Sequence, residues 1–140
     1  MPTIKEIEEE IINDFDFFED WMEKYEHIIE LGKELPLLKE NEKSDDLLIK
    51  GCQSRVWLNA ENNKGNILFK ADSDAIITKG IISLLIKVLN NQPADSIINA
   101  DLNFIDKIGL KEHLSPTRSN GLVSMVKQMK IYALALSNKN

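Results

Sequence analysis

The sequence predicts an α+β fold in which a small three-stranded antiparallel sheet is covered on one face by helices. Helical periodicity dominates both ends of the chain, while short strand-like runs are concentrated between residues 47 and 71. The links between these runs hold only a few residues. Such links suit antiparallel neighbours, because a parallel crossover needs about a dozen residues or more.

The length and composition indicate one domain over residues 1–140. The chain has 140 residues, of which 43% are hydrophobic, which is enough for one core and too little for two. Its longest apolar segment, residues 75–89, contains polar residues and falls short of the roughly 20 residues that a membrane span needs. The N-terminus has no basic stretch followed by an apolar one, so we expect no signal peptide and no membrane association.

Two helices are predicted at the N-terminal end. Thr3 and Glu6 form a capping-box pattern in front of apolar residues at helical spacing. Asp16 and Glu19 repeat that pattern and indicate a second helix, which Gly32 ends. Residues 39–46 are polar and are predicted to form a connecting loop.

Three strand-like runs follow, at residues 47–49, 56–60 and 67–71. Residues 62–66 have the Asn- and Gly-rich composition of a hairpin turn, so the last two runs are expected to pair. Cys52 falls in the link between the first two runs.

The next helix is predicted to begin with Asp72 or Ser73 as its cap and to reach about Leu89. It is apolar on nearly every side, so we expect it to be buried across the sheet. Gly80 inside it indicates the close approach of another backbone. Pro93 is expected to start a short helix.

The chain is predicted to end in two further helices. One runs from about Leu102 to Gly109, and the last, entered at Ser115 and Pro116, has the clearest helical period in the sequence.

The charge distribution argues against nucleic acid as a partner. Residues 1–46 hold 16 acidic and 5 basic residues (net −11), whereas residues 47–140 hold 7 and 12 (net +5). Nucleic-acid binding needs a basic face and usually aromatic platforms. A protein partner or a small molecule is favoured.

The single cysteine, Cys52, limits the chemistry available to the chain. It excludes an internal disulfide and the clustered Cys and His ligands of zinc or iron–sulfur sites, so no metal site is expected. A reduced, cytoplasmic compartment is the simplest interpretation.

Cys52 is the one strong candidate nucleophile. A small buried cysteine is the alternative interpretation, but Gly51 gives the backbone freedom, and Lys50 and Arg55 lie close in sequence. Cations stabilise a thiolate, so we expect them to lower the pKa of Cys52 unless both point to solvent.

Two further residues are candidates for support or recognition. Arg118 follows the start of the last helix, where a cation opposes the helix dipole, so we expect it to face an acidic group in the fold or on a partner. Asp74 is expected to act as a first-turn acid of its helix, with a functional role as the alternative.

Four blocks of the sequence are distinctive: Ile49–Trp57, with its Gly-Cys-Gln-Ser motif; Ser73–Ala75 with Lys79 and Gly80; His113–Leu122; and Trp21–Gly32 with Leu35 and Pro36. Through these blocks nearly the whole chain resembles the SufE family.

The resemblance implies a fold similar to that of the IscU scaffold and a role in iron–sulfur cluster assembly. The acceptor cysteine of the family corresponds to Cys52, which would take sulfane sulfur from the persulfide of a SufS-type cysteine desulfurase, stimulate that enzyme and pass the sulfur to the SufBCD scaffold. The desulfurase uses pyridoxal phosphate, and no cofactor is expected on this chain. The sister carriers of CsdA-type desulfurases share the motif, so the choice between the two partners stays open.

The residues around the cysteine, Gly51, Gln53, Ser54 and Arg55, together with Asp74 and Arg118, are expected to support the loop or bind the partner. The chain is therefore interpreted as a carrier and activator without independent turnover.

Two alternatives remain. A stand-alone thiol enzyme would use Cys52, with His27 or His113 within hydrogen-bond reach for acyl transfer. An adaptor would modulate a partner enzyme without carrying sulfur.

Overall fold

The computed structural model describes residues 2–137 and places helices before and after a long β-hairpin. The elements in chain order are α1 Ile4–Asp16, α2 Trp21–Gly32, β1 Val56–Asn63, β2 Asn66–Ser73, α3 Ile76–Leu89, β3 Gln92–Pro93, α4 Ala94–Ile98, α5 Phe104–Lys107, α6 Leu110–His113 and α7 Pro116–Leu136. Two short 3-10 turns, Glu40–Glu42 and Asp45–Leu47, lie between α2 and β1. The α+β prediction is confirmed.

The two N-terminal helices form as separate elements. The capping box at α1 is present, because Thr3 N donates to Glu6 Oε1 and Glu6 N donates to Thr3 Oγ1. The second helix was expected to begin after Asp16, but its N-cap is Asp20. The Asp20 carboxylate accepts the N–H of Glu23 at 3.0 Å.

The hairpin follows the turn chemistry of the sequence. Strands β1 and β2 pair in register from Val56 with Ser73 to Asn63 with Asn66. Lys64 and Gly65 have φ of 57° and 93°, and positive φ at both central residues is the signature of a type I′ turn.

The third strand differs from its prediction. Residues 47–49 were expected to form it, but Asp45–Leu47 coil into a 3-10 turn, and only Leu48 makes an isolated bridge, to Trp57. The third strand is β3, which pairs with the end of β2 next to the hairpin turn. A two-residue strand offers too few residues for alternation to appear in the sequence.

Helix α3 is the buried helix of the fold. It begins at Ile76 and not after Asp72 or Ser73, because those two residues complete β2. The close approach predicted at Gly80 is confirmed, since a Cβ there would lie 2.2 Å from the carbonyl oxygen of Ile28 on α2. A hydrogen atom at Gly80 is what allows α2 and α3 to cross in contact.

The inner face of the sheet is formed by alternate, fully buried residues, namely Val56, Leu58, Ile67, Phe69 and Ala71. Part of the outer face is covered by the segment before β1. The Lys43 ammonium lies 5.3 Å from the ring centre of Trp57 and 2.6 Å from a carboxylate oxygen of Asp72. Through these contacts of Lys43, the polar loop of residues 39–46 packs against the sheet.

Helix α7 begins where the sequence predicts. Ser115 caps it by accepting the N–H of Arg118 at 3.2 Å, and Pro116 takes the first helical position. The helix ending near Gly109 is shorter than expected and is followed by α6, with Gly109 at φ 75° between α5 and α6. No helix within residues 2–137 combines the length and the hydropathy that a membrane crossing needs.

Candidate functional site

Cys52 lies in the loop that leads into β1, directly after a tight backbone turn. Gly51 adopts φ 93°, a conformation that side chains other than glycine rarely take. A Cβ at Gly51 would also lie 2.5 Å from Oγ of Ser124 on α7. The positive φ therefore favours glycine at this position, and a side chain there would also require Ser124 Oγ to move.

The Cys52 side chain is half-buried against α7. Its sulfur lies 3.7 Å from the carbonyl oxygen of Gly121, close enough for a weak S–H donor contact. A Cβ at Gly121 would lie 3.5 Å from the same sulfur. That distance is ordinary van der Waals contact, so the thiol packs against the Gly121 backbone with room left for a methyl group.

A small cavity of about 40 Å³ adjoins the thiol. It is formed by the cysteine loop together with α3 and α7, and its lining is Cys52, Gln53, Ser54, Thr78, Ile81, Thr117, Arg118, Gly121 and Met125. One atom the size of a water molecule needs roughly 10–15 Å³ of such space. There is consequently room beside Sγ for one further atom of that order.

The pKa of Cys52 is raised, whereas the sequence predicted that neighbouring cations would lower it. We expected Lys50 and Arg55 to lower its pKa, but burial raises the pKa of the thiol above its ordinary value. Lys50 and Arg55 are both exposed. Burial therefore favours the protonated thiol, which is a weaker nucleophile than the thiolate, over the thiolate.

Asp74 supports the end of the cysteine loop. Its carboxylate accepts the backbone N–H of Arg55 at 3.1 Å, and its own N–H donates to the Arg55 carbonyl at 3.2 Å. Ser73 Oγ donates to the same carbonyl at 2.8 Å. Asp74 precedes α3 and its N-cap Ala75, so the expectation of a first-turn helix acid was wrong.

Arg118 lies on the first turn of α7 and lines the cysteine cavity. Its Nη1 donates to the hydroxyl of Tyr25 on α2 at 3.1 Å. Among residues 2–137 it has no carboxylate partner within ion-pair distance. The guanidinium is thus held at the cavity by a neutral group, and its charge stays available to an anion outside the fold.

Gln53 and Ser54 both border the cavity. Gln53 is exposed, and Ser54 is half-buried. Of the residues predicted for the site, Cys52, Gln53, Ser54 and Arg118 line one cavity. Gly51 and Asp74 shape the loop from either side, and Arg55 contributes its backbone.

The two histidines lie away from this cavity. His27 packs against the rings of Phe15 and Phe18, with centroids 5.2 and 5.1 Å away, and burial lowers its pKa. His113 stacks on Trp21 at 4.1 Å. Neither ring lines the cysteine cavity, so the described residues offer no Cys–His dyad. Residues 2–137 also contain no group of three ligand-type side chains that could hold a metal ion.

Comparison with known proteins identifies the family. The model of the SufE family, described as an Fe-S metabolism associated domain, matches residues 9–133. The chain belongs to the SufE family. It is 39% identical over 127 residues to an uncharacterized SufE-like protein of Rhizobium etli, covering 87% of this chain and 86% of the relative. Membership in the SufE family places the chain in Fe–S metabolism.

A solved structure has the same fold. The solution structure of a hypothetical protein from Thermus thermophilus superposes with a TM-score of 0.77 over 93% of this chain and 95% of its own, at 15% identity. This likeness supports the α+β fold.

Two residues next to the cysteine cavity escaped sequence reasoning. They are Tyr25 on α2, which accepts from Arg118, and Gly121 on α7, which contacts Cys52. Two signals in the sequence could have indicated them. A tyrosine on an otherwise apolar helix face usually has a hydrogen-bond partner for its hydroxyl, and a glycine within a helix often marks a packing contact.

Proposed function

We propose that this SufE-family protein is a sulfur carrier in which Cys52 accepts sulfane sulfur from the persulfide of a cysteine desulfurase. The observation that carries the proposal is a lone thiol, in the family's Gly-Cys-Gln-Ser motif, half-buried beside a cavity of about 40 Å³. The donor is a pyridoxal-phosphate enzyme of the SufS type, and this chain itself needs no cofactor for the transfer.

The transfer is a thiol exchange that balances without an external oxidant. The Cys52 thiolate attacks the terminal sulfur of the donor persulfide, the donor S–S bond breaks, and the donor cysteine leaves as a thiolate. Cys52 loses one proton when it forms its thiolate, and the departing donor thiolate takes up one proton. The products are a donor thiol and a Cys52 persulfide.

The cavity supports a sheltering role between partners. With Cys52 against Gly121, the added sulfur would occupy the space beside Sγ, away from reductants in solvent. Attack on a donor requires the loop to turn outward, and Gly51 supplies the backbone freedom for that movement. Exposure would also return the pKa of Cys52 towards its ordinary value, since burial is what raises it.

Arg118 is proposed to recognise the desulfurase. Its guanidinium has no carboxylate partner among the described residues, and the residue is exposed and lines the cysteine cavity. An acidic group on the desulfurase would pair with it and bring the persulfide to Cys52. The same docking would stimulate the desulfurase by removing its sulfur.

Delivery completes the proposed cycle. The loaded carrier would pass its sulfur to the SufBCD scaffold in the cytoplasm, where the Cys52 thiol is kept reduced. A chase of ³⁵S-loaded protein with purified scaffold tests this step, and label that stays on the carrier would contradict it.

Intact-mass analysis tests loading. The chain is incubated with desulfurase, pyridoxal phosphate and cysteine, and a gain of about 32 Da that dithiothreitol removes is expected. Cys52→Ser is the matched control and should gain nothing. An unchanged mass for the native chain would refute the carrier, and full stimulation by Cys52→Ser would indicate an adaptor. Parallel reactions with SufS- and CsdA-type enzymes identify the partner.

A further inference from the structure

A second surface of the molecule has the features of a binding site. A groove of about 510 Å³ runs between α7 and the segment from α4 to α6. Three apolar side chains along its α7 wall stand well out of the protein: Val123 is 53% exposed, Ile131 46% and Leu134 62%. Apolar side chains grouped this way on a soluble surface commonly mark an interface.

The groove lies on the far side of α7 from the cysteine. Gly121 and Met125 face the Cys52 cavity, and Val123 lies about 200° around the helix from Gly121 at about 100° per residue. A molecule seated in the groove would therefore leave the Cys52 loop free to exchange sulfur.

The dimensions of the groove suit a helix. Its lining on α7 extends from Leu122 to Leu134, about 18 Å at 1.5 Å per residue. This matches about three turns of a helix lying along α7, and its apolar stripe would meet Leu122 and Val126 at the floor. Helix-in-groove binding uses this arrangement.

The two walls carry opposite charges. Lys127 and Lys130 lie on the α7 wall, whereas Asp101 and Asp106 lie on the other. Lys130 donates to the Ala100 carbonyl, and none of the other three has an ion-pair partner among residues 2–137. The wall from α4 to α6 also carries one cation, Lys111 on α6, whose carbonyl accepts from Ser119 Oγ. The acidic part of that wall is therefore the part that holds Asp101 and Asp106.

We propose that this groove binds an amphipathic helix of a partner protein, with the acidic flank of that helix against Lys127 and its basic flank against Asp101 and Asp106. Charge complementarity selects both the occupant and the direction in which it lies. A second copy of the chain fits less well, because pairing α7 with α7 would bring Lys127 towards its counterpart. The proposal does not depend on sulfur transfer.

A synthetic helix tests the proposal on the full chain. The probe is a 14-residue peptide, a length of about four turns, with leucines at helical spacing, glutamates along one flank and lysines along the other. The control peptide keeps the leucines and the composition but mixes glutamate and lysine on both flanks. Titration is followed by amide NMR shifts, and the segregated peptide should bind about ten-fold more tightly. Shifts should cluster at the groove and leave the Cys52 loop unchanged.

Substitutions in and away from the groove test whether the peptide binds there. Val123→Asp places an acid on the exposed apolar wall and should abolish binding, while Phe17→Asp, at a residue 84% exposed on the C-cap of α1, should not change it. Lys127→Glu should weaken the segregated peptide about ten-fold. Equal affinity for both peptides, no binding, or insensitivity to Val123→Asp would overturn the proposal. So would sedimentation showing a native dimer that Val123→Asp dissociates.

Discussion

The sulfur of Cys52 lies against the backbone of Gly121, with 3.7 Å between Sγ and the carbonyl oxygen. The two residues are 69 positions apart in the chain, and the contact joins the cysteine loop to the first turns of α7. It covers the thiol and removes part of its hydration, and this burial raises the pKa of Cys52.

The first prediction concerns the pH dependence of Cys52. Burial raises the pKa of the thiol, so its alkylation by iodoacetamide should have a midpoint above that of the protein unfolded in urea. The raised pKa stabilises the fold at pH values below the unfolded thiol's pKa. That contribution is lost as the pH rises through the folded pKa.

The matched control removes the neighbouring cations. Lys50→Ala with Arg55→Ala should leave the alkylation midpoint nearly unchanged, because burial and not charge is the cause. A native midpoint below that of the unfolded chain would contradict the buried-thiol description.

The second prediction compares two helical glycines. Gly80→Ala should destabilise the protein by about 1–3 kcal/mol, the usual range for overpacking, because the new Cβ would lie 2.2 Å from Ile28 O. Gly121→Ala meets Cys52 Sγ at an ordinary 3.5 Å and should be neutral or stabilising by about 0.5–1 kcal/mol. Urea unfolding at 25 °C measures both. Equal losses would show that the α2–α3 crossing is not tight.

The third prediction concerns acid unfolding and Asp72. Burial opposes ionisation of this carboxyl, but hydrogen bonds from Lys43 and Ser73 N and the charge of Lys79 outweigh it and lower the pKa. Ionised Asp72 thus stabilises the fold above its unfolded pKa, and the stabilisation is lost as the pH falls through the lower folded pKa.

Lys43→Ala should therefore move acid unfolding to higher pH, as followed by circular dichroism in a fixed concentration of urea. Lys79→Ala should move it less, because Lys79 Nζ is 3.5 Å from the Asp72 carboxylate and Lys43 Nζ is 2.6 Å from it. A larger shift with Lys79→Ala would reverse the assignment.

The fourth prediction tests Arg118 as a recognition residue and rests on the proposed function. Arg118→Glu should reduce desulfurase stimulation about ten-fold or more, as expected for losing a charge-assisted hydrogen bond, without changing urea unfolding. Tyr25→Phe removes only the hydrogen bond that orients Nη1 and should have a smaller effect. If Arg118→Glu stimulated the desulfurase as well as the native chain does, Arg118 would not be a recognition residue and its role would be structural.

Much of the fold was predictable because it depends on local chemistry. The capping box at Thr3, the positive-φ turn at Lys64 and Gly65, and the Ser115 cap of α7 are each satisfied within a few residues. The third strand was not predictable, because Gln92–Pro93 is strand only through its pairing with Asn66 and Ile67.

The sequence by itself determined the α+β class and the SufE-type motif, and it singled out Cys52 as the candidate nucleophile. Turn chemistry, periodicity and a unique thiol are properties of short segments. The tertiary structure alone decided the raised pKa of Cys52, the Tyr25 partner of Arg118 and the groove behind α7. Desolvation and side-chain pairing depend on which distant segments meet, and no spacing along the chain encodes those distances.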